Sequence, residues 1–122
     1  MDDIYFQGVA LTIKMTPDFS LSLDMVMAIH HKNNDAHLAK GEKLIKQLAN
    51  AGKLRSPDQF RQEGQGFWAI KAGKIRFYGW YERDKIFVLS HVIFKSTDKL
   101  AQADVNRMQK NQNKFRSTKA KK

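Results

Sequence analysis

The sequence contains no cysteine, so disulfide bonds and thiol chemistry are excluded. No apolar run approaches the ~20 residues that span a membrane, and the start lacks a basic region followed by an apolar one. The length of 122 residues is that of one domain with a single core. A cytoplasmic protein without a membrane anchor is therefore the default expectation.

Acidic residues are also scarce. The 12 Asp and Glu are outnumbered by 22 Lys and Arg, which leaves a net charge of +10 at pH 7. Beyond Asp104 the chain has no acid, but it continues with seven bases: Arg107, Lys110, Lys114, Arg116, Lys119, Lys121 and Lys122. The electric field of such a positive charge favours the binding of polyanions, of which nucleic acid is the commonest. The alternative is that surplus lysine merely keeps the protein in solution.

What the sequence does contain is a dense run of β-branched and aromatic residues over 66–95. Short breaks at Ala72-Gly73 and at residues 82–84 divide it into strands at Phe67 to Lys71, Lys74 to Tyr81 and Ile86 to Lys95. Connections this short join antiparallel neighbours, because a parallel return needs a crossover of a dozen or more residues. The pattern predicts a three-stranded meander.

Alternation assigns the side chains of these strands to faces. In the last strand one set is apolar except for Ser90 and is predicted to face the core: Ile86, Val88, Ser90, Val92 and Phe94. The other set is Phe87, Leu89, His91, Ile93 and Lys95. We therefore expect Arg76, His91 and Lys95 to share the opposite, partly open face.

The flanking segments predict an α+β fold. Val9 to Met15 alternates weakly, as a first strand does, and Thr16-Pro17 is a helix-start signal. A second helix, capped by Asn34 or Asp35 and stopped by Gly52, is expected to pair with the first and cover the apolar face of the sheet. A terminal helix is predicted from about Asp98 to Phe115, with Ala101, Val105, Met108 and Phe115 along one side.

The remaining segments complete the predicted organisation. Ile4 to Gly8 resembles a viral protease site left by purification tags, so residues 1–8 are assigned no function. One domain is predicted over 9–116, followed by a flexible basic tail over 117–122. The segment 53–65 lacks periodicity and is predicted to be a basic loop. His30, His31 and His37 have no ligand partners at suitable spacing, so we expect surface or boundary residues and no metal site.

The order strand, two helices, meander and terminal helix resembles the RelE/ParE superfamily of bacterial toxins, in particular the HigB-type, phage-derived branch. Four segments carry the resemblance: Glu63 to Lys71, Lys74 to Tyr78, Phe87 to His91 and Phe94 to Lys99. The resemblance extends over roughly residues 9–116 and implies a RelE-like fold. The sequence departs from the family at Ser96, where a second lysine is usual, and at Ala69 and Lys71, where glutamate and arginine are often found.

The resemblance implies a toxin of a type II toxin-antitoxin system that inhibits translation. Such toxins are ribosome-dependent endoribonucleases that cut messenger RNA during translation and are silenced by a cognate antitoxin protein. They need no metal or organic cofactor, because the 2′-hydroxyl of the RNA attacks the adjacent phosphate. For this chemistry a fixed guanidinium suits the phosphate oxygens, so Arg76 is the expected phosphate-binding residue.

His91 and Lys95 are the expected sources of proton transfer and charge, because an unperturbed histidine titrates near neutrality. Six further residues are expected to bind RNA: Lys71, Lys74, Tyr78, Arg61, Lys114 and Arg116. The alternatives are a structural Arg76 paired with a carboxylate, and a His91 ring that only packs. Two other functions remain open: a nucleic-acid-binding module that cuts nothing, and a ParE-like toxin that inhibits DNA gyrase.

Overall fold

The strands of the chain form one mixed sheet. The computed structural model describes residues 3–29, 34–56, 58–94 and 101–120. In these ranges six strands and three helices follow in the order β1 (Asp3–Gln7), β2 (Thr12–Met15), α1 (Pro17–Met27), α2 (Asn34–Ala51), β3 (Phe60–Gly64), β4 (Phe67–Ala72), β5 (Ile75–Glu82), β6 (Ile86–Phe94) and α3 (Gln102–Ala120). The sheet order is β1-β2-β6-β5-β4-β3. The protein is therefore an α+β protein.

The predicted meander of β4, β5 and β6 is confirmed. Each strand pairs antiparallel with the next, with Lys71 opposite Arg76 and Tyr78 opposite His91. The turn between β4 and β5 places Gly73 at a φ of +60°, in the left-handed region that glycine adopts without steric cost. The short turns hold three consecutive strands in register at the centre of the sheet.

The predicted first strand is also present as β2, which pairs parallel with β6. Two further strands lie where none was predicted. β1 pairs antiparallel with β2, so residues 3–7 are part of the sheet, although no strand was predicted in residues 1–8. β3 lies in the segment predicted to be a loop, where Phe60 is buried and its ring stacks on Trp68 at 4.4 Å. Cross-strand packing thus fixes a strand that local periodicity does not indicate.

The predicted start of α1 and the predicted end of α2 are confirmed, whereas α1 ends at Met27, earlier than the end near residues 31–34 that the sequence predicts. Thr16 caps α1, because its Oγ1 accepts a hydrogen bond from the backbone N–H of Phe19 at 3.1 Å. α2 begins at Asn34, whose Nδ2 donates to the carbonyl of Val26 at 3.1 Å. After α2, Gly52 has a φ of +87°, and its N–H donates to the carbonyl of Leu48 at 2.8 Å. α1 and α2 cover one side of the sheet, here called the hairpin face.

α3 covers the other side of the sheet, here called the α3 face. Met108 is fully buried there against Tyr78, Trp80 and Val88. The helix continues to Ala120, beyond the predicted end at Phe115. The flexible basic tail over 117–122 stays a prediction. Asp98, the predicted start, lies outside the described residues. None of the helices in the described ranges has the length and apolar character that crossing a membrane requires.

A β-bulge in β6 changes which residues face the hairpin. Tyr78 pairs with His91 but the next residue of β5, Gly79, pairs with Leu89, which leaves Ser90 as the extra residue. Because the bulge shifts the alternation, the predicted faces are wrong before Ser90. Ile86 and Val88 pack on the α3 face, whereas Phe87, Leu89, Val92 and Phe94 pack on the hairpin face.

Candidate nucleic-acid interface

A polar cleft lies beside the turn that joins β4 and β5. Its volume is about 390 Å³, and seven residues line it: Lys40, Ser56, Asp58, Gln59, Lys71, Gly73 and Arg76. Three of these residues are basic and one is acidic. The cleft thus combines net positive charge with hydroxyl, amide and backbone groups, which suits an anionic ligand.

Three separate parts of the chain position these cations. Lys71 and Arg76 are directly opposite each other on β4 and β5, so their side chains leave the sheet side by side. Lys40 comes from the first half of α2. The N–H of Lys71 donates to the carbonyl of Gln59 at 2.8 Å, which fastens the segment before β3 to the same edge. The cleft is therefore built on a strand pair and a helix rather than on a free loop.

The guanidinium of Arg76 is held against the turn. Its Nη1 donates to the carbonyl of Gly73 at 2.6 Å and to that of Ile75 at 3.2 Å. The residue is only 6% exposed, although it lines the cleft. These carbonyl partners orient the guanidinium. An oriented guanidinium of this kind is suited to binding phosphate oxygens.

His91 lies on the same face of the sheet, but in a different environment. Its ring is 0% exposed, with Nδ1 at 2.9 Å from Ser90 Oγ and Nε2 at 3.1 Å from Asp104 Oδ1. The ring of Tyr78 packs on it with a centroid separation of 5.1 Å. The expectation of an open face is wrong at this position, because α3 brings Asp104 over the imidazole. A catalytic role for His91 remains a prediction, and it requires α3 to move.

A chain of hydrogen bonds extends from His91 to α1. Asn111 of α3 donates through Nδ2 to Ser90 Oγ and to Asp18 Oδ2, both at 2.9 Å. Arg107 donates two hydrogen bonds to the same Asp18 carboxylate, from Nε at 2.6 Å and from Nη2 at 2.7 Å. The bond from Arg107 is the main cause that lowers the pKa of Asp18 to about 2. We call Asp18, Ser90, His91, Asp104, Arg107 and Asn111 the α3 latch.

Most residues of the α3 latch were not predicted from the sequence. One signal was present, since Asp104, Met108, Asn111 and Phe115 recur at helical spacing, which places two polar residues on the buried side of α3. Buried polar groups need partners, and this would have pointed to the polar atoms of β6. Asp18 carried no such signal, because an acid in the first turn of a helix is ordinary.

The other predicted site residues are dispersed. Tyr78 is buried beneath α3, and burial raises the pKa of its hydroxyl. Lys74 is exposed in the turn after Gly73. Arg61 is exposed, and its Nε lies 3.4 Å from Glu63 Oε1. On α3, Lys114 is exposed, and Nε of Arg116 donates a hydrogen bond to Glu82 Oε2 at 2.9 Å. Lys95 lies outside the described residues. The structure thus brings together Arg76 and Lys71, with Lys40 as an unpredicted addition.

Neither a protein-family model nor a curated protein sequence matches the chain. The resemblance to RelE/ParE toxins therefore remains a prediction from the sequence. The cleft itself defines a candidate site for a phosphate-bearing ligand.

Proposed function

We propose that the protein is a RelE-like, HigB-type toxin, a ribosome-dependent endoribonuclease that cuts messenger RNA and inhibits translation. The observation that supports this function best is the cleft in which Lys40, Lys71 and Arg76 converge. A phosphodiester carries one negative charge, and the cleft supplies both that charge complement and a fixed guanidinium. In the proposed cycle the partners are messenger RNA on the ribosome and a cognate antitoxin, in the cytoplasm.

Arg76 carries the main chemical role in this proposal. Attack by the 2′-oxygen on phosphorus increases the negative charge on the two non-bridging oxygens. A guanidinium that is already oriented stabilises this charge without reorganising at the moment of reaction. Lys71, directly opposite on β4, adds positive charge and steers the backbone into the cleft. No metal or organic cofactor takes part.

The test is to map transcript ends after induction in growing cells. Wild type is expected to arrest growth and to cut transcripts inside translated regions. The Arg76→Lys variant keeps the charge but loses the planar fork, so cutting is expected to fall about 100-fold or more. Arg83→Lys serves as the matched control, because Arg83 is exposed in the turn at the opposite end of β5. Equal cutting by wild type and Arg76→Lys contradicts the role of Arg76.

Burial of His91 favours a second candidate, a nucleic-acid-binding module that cuts nothing. A histidine with both ring nitrogens engaged beneath a helix transfers no proton to RNA in this arrangement. The module would bind RNA in the cleft and leave transcript ends unchanged upon induction. A gyrase inhibitor is distinguished by DNA topology in the same induced cells, since damage to topology without new transcript ends contradicts both proposals.

A further inference from the structure

A second cavity opens on the hairpin face, between α1 and α2. Its volume is about 320 Å³, and eight residues line it: Tyr5, Leu23, Met27, Asp35, Leu38, Ala39, Glu42 and Phe77. Phe77 of β5 is buried, whereas Met27 is exposed at the surface. We call this cavity the hairpin groove. A groove of this size, with mostly apolar walls, can take a bulky anchor side chain of a partner.

Exposed apolar side chains cluster on the helix beside the hairpin groove. Leu21, Met25 and Met27 of α1 are 66%, 71% and 58% exposed, and Ile29 follows just after the helix. These are four of the six large hydrophobic residues that are exposed in the described ranges. A single exposed hydrophobic residue is ordinary, but a cluster marks a surface that another molecule covers. Methionine side chains also adapt readily to the shape of a partner.

The charge of the hairpin groove is opposite to that of the whole protein. The net charge is +10, but the lining residues include two acids, Asp35 and Glu42, and no base. Asp24, one turn before Met27 on α1, is a further exposed acid. Glu42 pairs with Lys46 at 3.2 Å, but both side chains are about half exposed, and such a pair contributes little. A cation of a partner can therefore take the place of Lys46.

We infer that the hairpin groove binds an amphipathic, basic helical segment of a partner protein. A bulky apolar side chain of that segment enters the groove beside Phe77, and its Lys or Arg side chains lie against Asp35 and Glu42. The two acids disfavour the phosphates of nucleic acids and of anionic lipids, and in a pair of identical copies they would face each other. This docking requires no RNA cleavage and does not depend on the proposed function.

The test uses the full chain and two synthetic helical peptides. The first consists of Leu, Ala and Lys, with Leu at i, i+3, i+4 and i+7, so that one face is apolar and the other basic. The second has Glu in place of every Lys. Fluorescence anisotropy of the labelled peptides measures binding. The basic peptide is expected to bind about 10-fold more tightly, although the net charge of +10 attracts the acidic one.

Two matched variants locate the binding site. Ala39→Arg places a cation in the hairpin groove and is expected to weaken binding of the basic peptide about 10-fold or more. Ala36→Arg is the control, because Ala36 is also exposed on α2, does not line the groove and gains the same charge. Both variants are expected to keep the melting temperature of wild type, since both alanines are exposed.

A third variant tests the charges of the groove alone. Asp35→Asn combined with Glu42→Gln removes both acids and leaves the apolar walls in place, and it is expected to weaken binding of the basic peptide about 5-fold. This variant decides the question if Ala39→Arg lowers the melting temperature. Unchanged affinity in the double variant contradicts the pairing of the acids with Lys or Arg and overturns the inference.

Other outcomes overturn the inference as well. Equal or tighter binding of the acidic peptide means that the overall charge of the protein decides binding. Equal affinities of Ala39→Arg and Ala36→Arg mean that the peptide binds elsewhere. Self-association of wild type that Ala39→Arg abolishes and Ala36→Arg preserves assigns the groove to a second copy of the chain. Each of these results leaves the transcript-end experiment unaffected, so the inference and the proposed function fail separately.

Discussion

Arg76 and His91 lie on the same side of the sheet, two residue pairs apart along β5 and β6, but their surroundings differ. The end that holds Arg76 opens into a cationic cleft beside the β4–β5 turn. The end that holds His91 is closed by α3, and every polar atom of its ring has a partner. Facing the same way on a sheet therefore does not give two residues the same access to solvent.

This difference separates two kinds of energetic role. Arg76 donates hydrogen bonds to two backbone carbonyls, which orient its guanidinium beside the cleft. The partners of His91 are Ser90 and Asp104, which link β6 to α3. Substitutions near Arg76 are therefore expected to affect RNA processing, whereas substitutions in the α3 latch are expected to affect stability.

The largest stability effect is expected from His91→Ala. The substitution removes a buried ring and leaves Asp104 and Ser90 without that partner, which costs about 3 kcal/mol. Urea unfolding of wild type and variant measures this loss. Cutting per folded molecule is expected to stay unchanged. A variant of normal stability that no longer cuts RNA would reverse the assignment, and His91→Gln gives the same comparison with a smaller cavity.

Sequence reasoning predicted the elements that local chemistry specifies. Thr16-Pro17 and Gly52 act within a few residues of the chain, so the start of α1 and the end of α2 follow from the sequence. The bulge at Ser90 does not follow from the sequence. An extra residue in a strand leaves the alternation of side chains intact on each side and only shifts its phase. This shift reverses the predicted faces of Ile86 and Val88.

The candidate site could be predicted only in part for the same reason. Arg76 and Lys71 were predictable as neighbours on adjacent strands, because short turns fix their register. Lys40 joins them only when α2 packs across the end of the sheet. Closure of His91 by α3 is likewise a tertiary contact, which arises between residues 13 positions apart.

A contrasting effect is expected on the hairpin face, where packing is apolar. A Cβ at Gly41 would collide with the ring of Phe77, which is buried. Gly41→Ala is therefore expected to cost about 1–3 kcal/mol, offset in part by the better helix propensity of alanine. Urea unfolding at several pH values is expected to give the same loss throughout, because no titrating group is involved. A gain in stability would mean that Phe77 moves aside freely.

Asp18→Asn is expected to have a smaller effect that depends on pH. The carboxyl pKa of Asp18 is about 2 in the folded protein and about 3.9 in an unfolded chain. Folding is therefore favoured by the ionised carboxylate above about pH 4, and this contribution is lost as pH falls toward 2. Since Asp18 is partly exposed, we expect about 1–2 kcal/mol at pH 7.

Unfolding of wild type and Asp18→Asn at pH 7, 4 and 2.5 measures this contribution. The difference between the two proteins is expected to shrink below pH 4, whereas the loss in Gly41→Ala persists. A difference that is the same at all three pH values would show that Asp18 acts through its shape and not through its charge. In that case the α3 latch would contribute no ionic stabilisation, and the two faces of the sheet would not differ in this respect.

The smallest expected effect is at the rim of the cleft, in Lys40→Ala. Lys40 is exposed on α2 and supplies charge without a fixed geometry, so its loss is expected to weaken RNA binding without changing kcat. In a plot of log affinity for single-stranded RNA against log salt concentration, the slope is expected to become shallower by about 0.7, as for one lost phosphate contact. Lys43→Ala, an exposed lysine outside the cleft lining, is the control. An equal change in both variants would mean that RNA responds to the overall charge of the protein and not to the cleft.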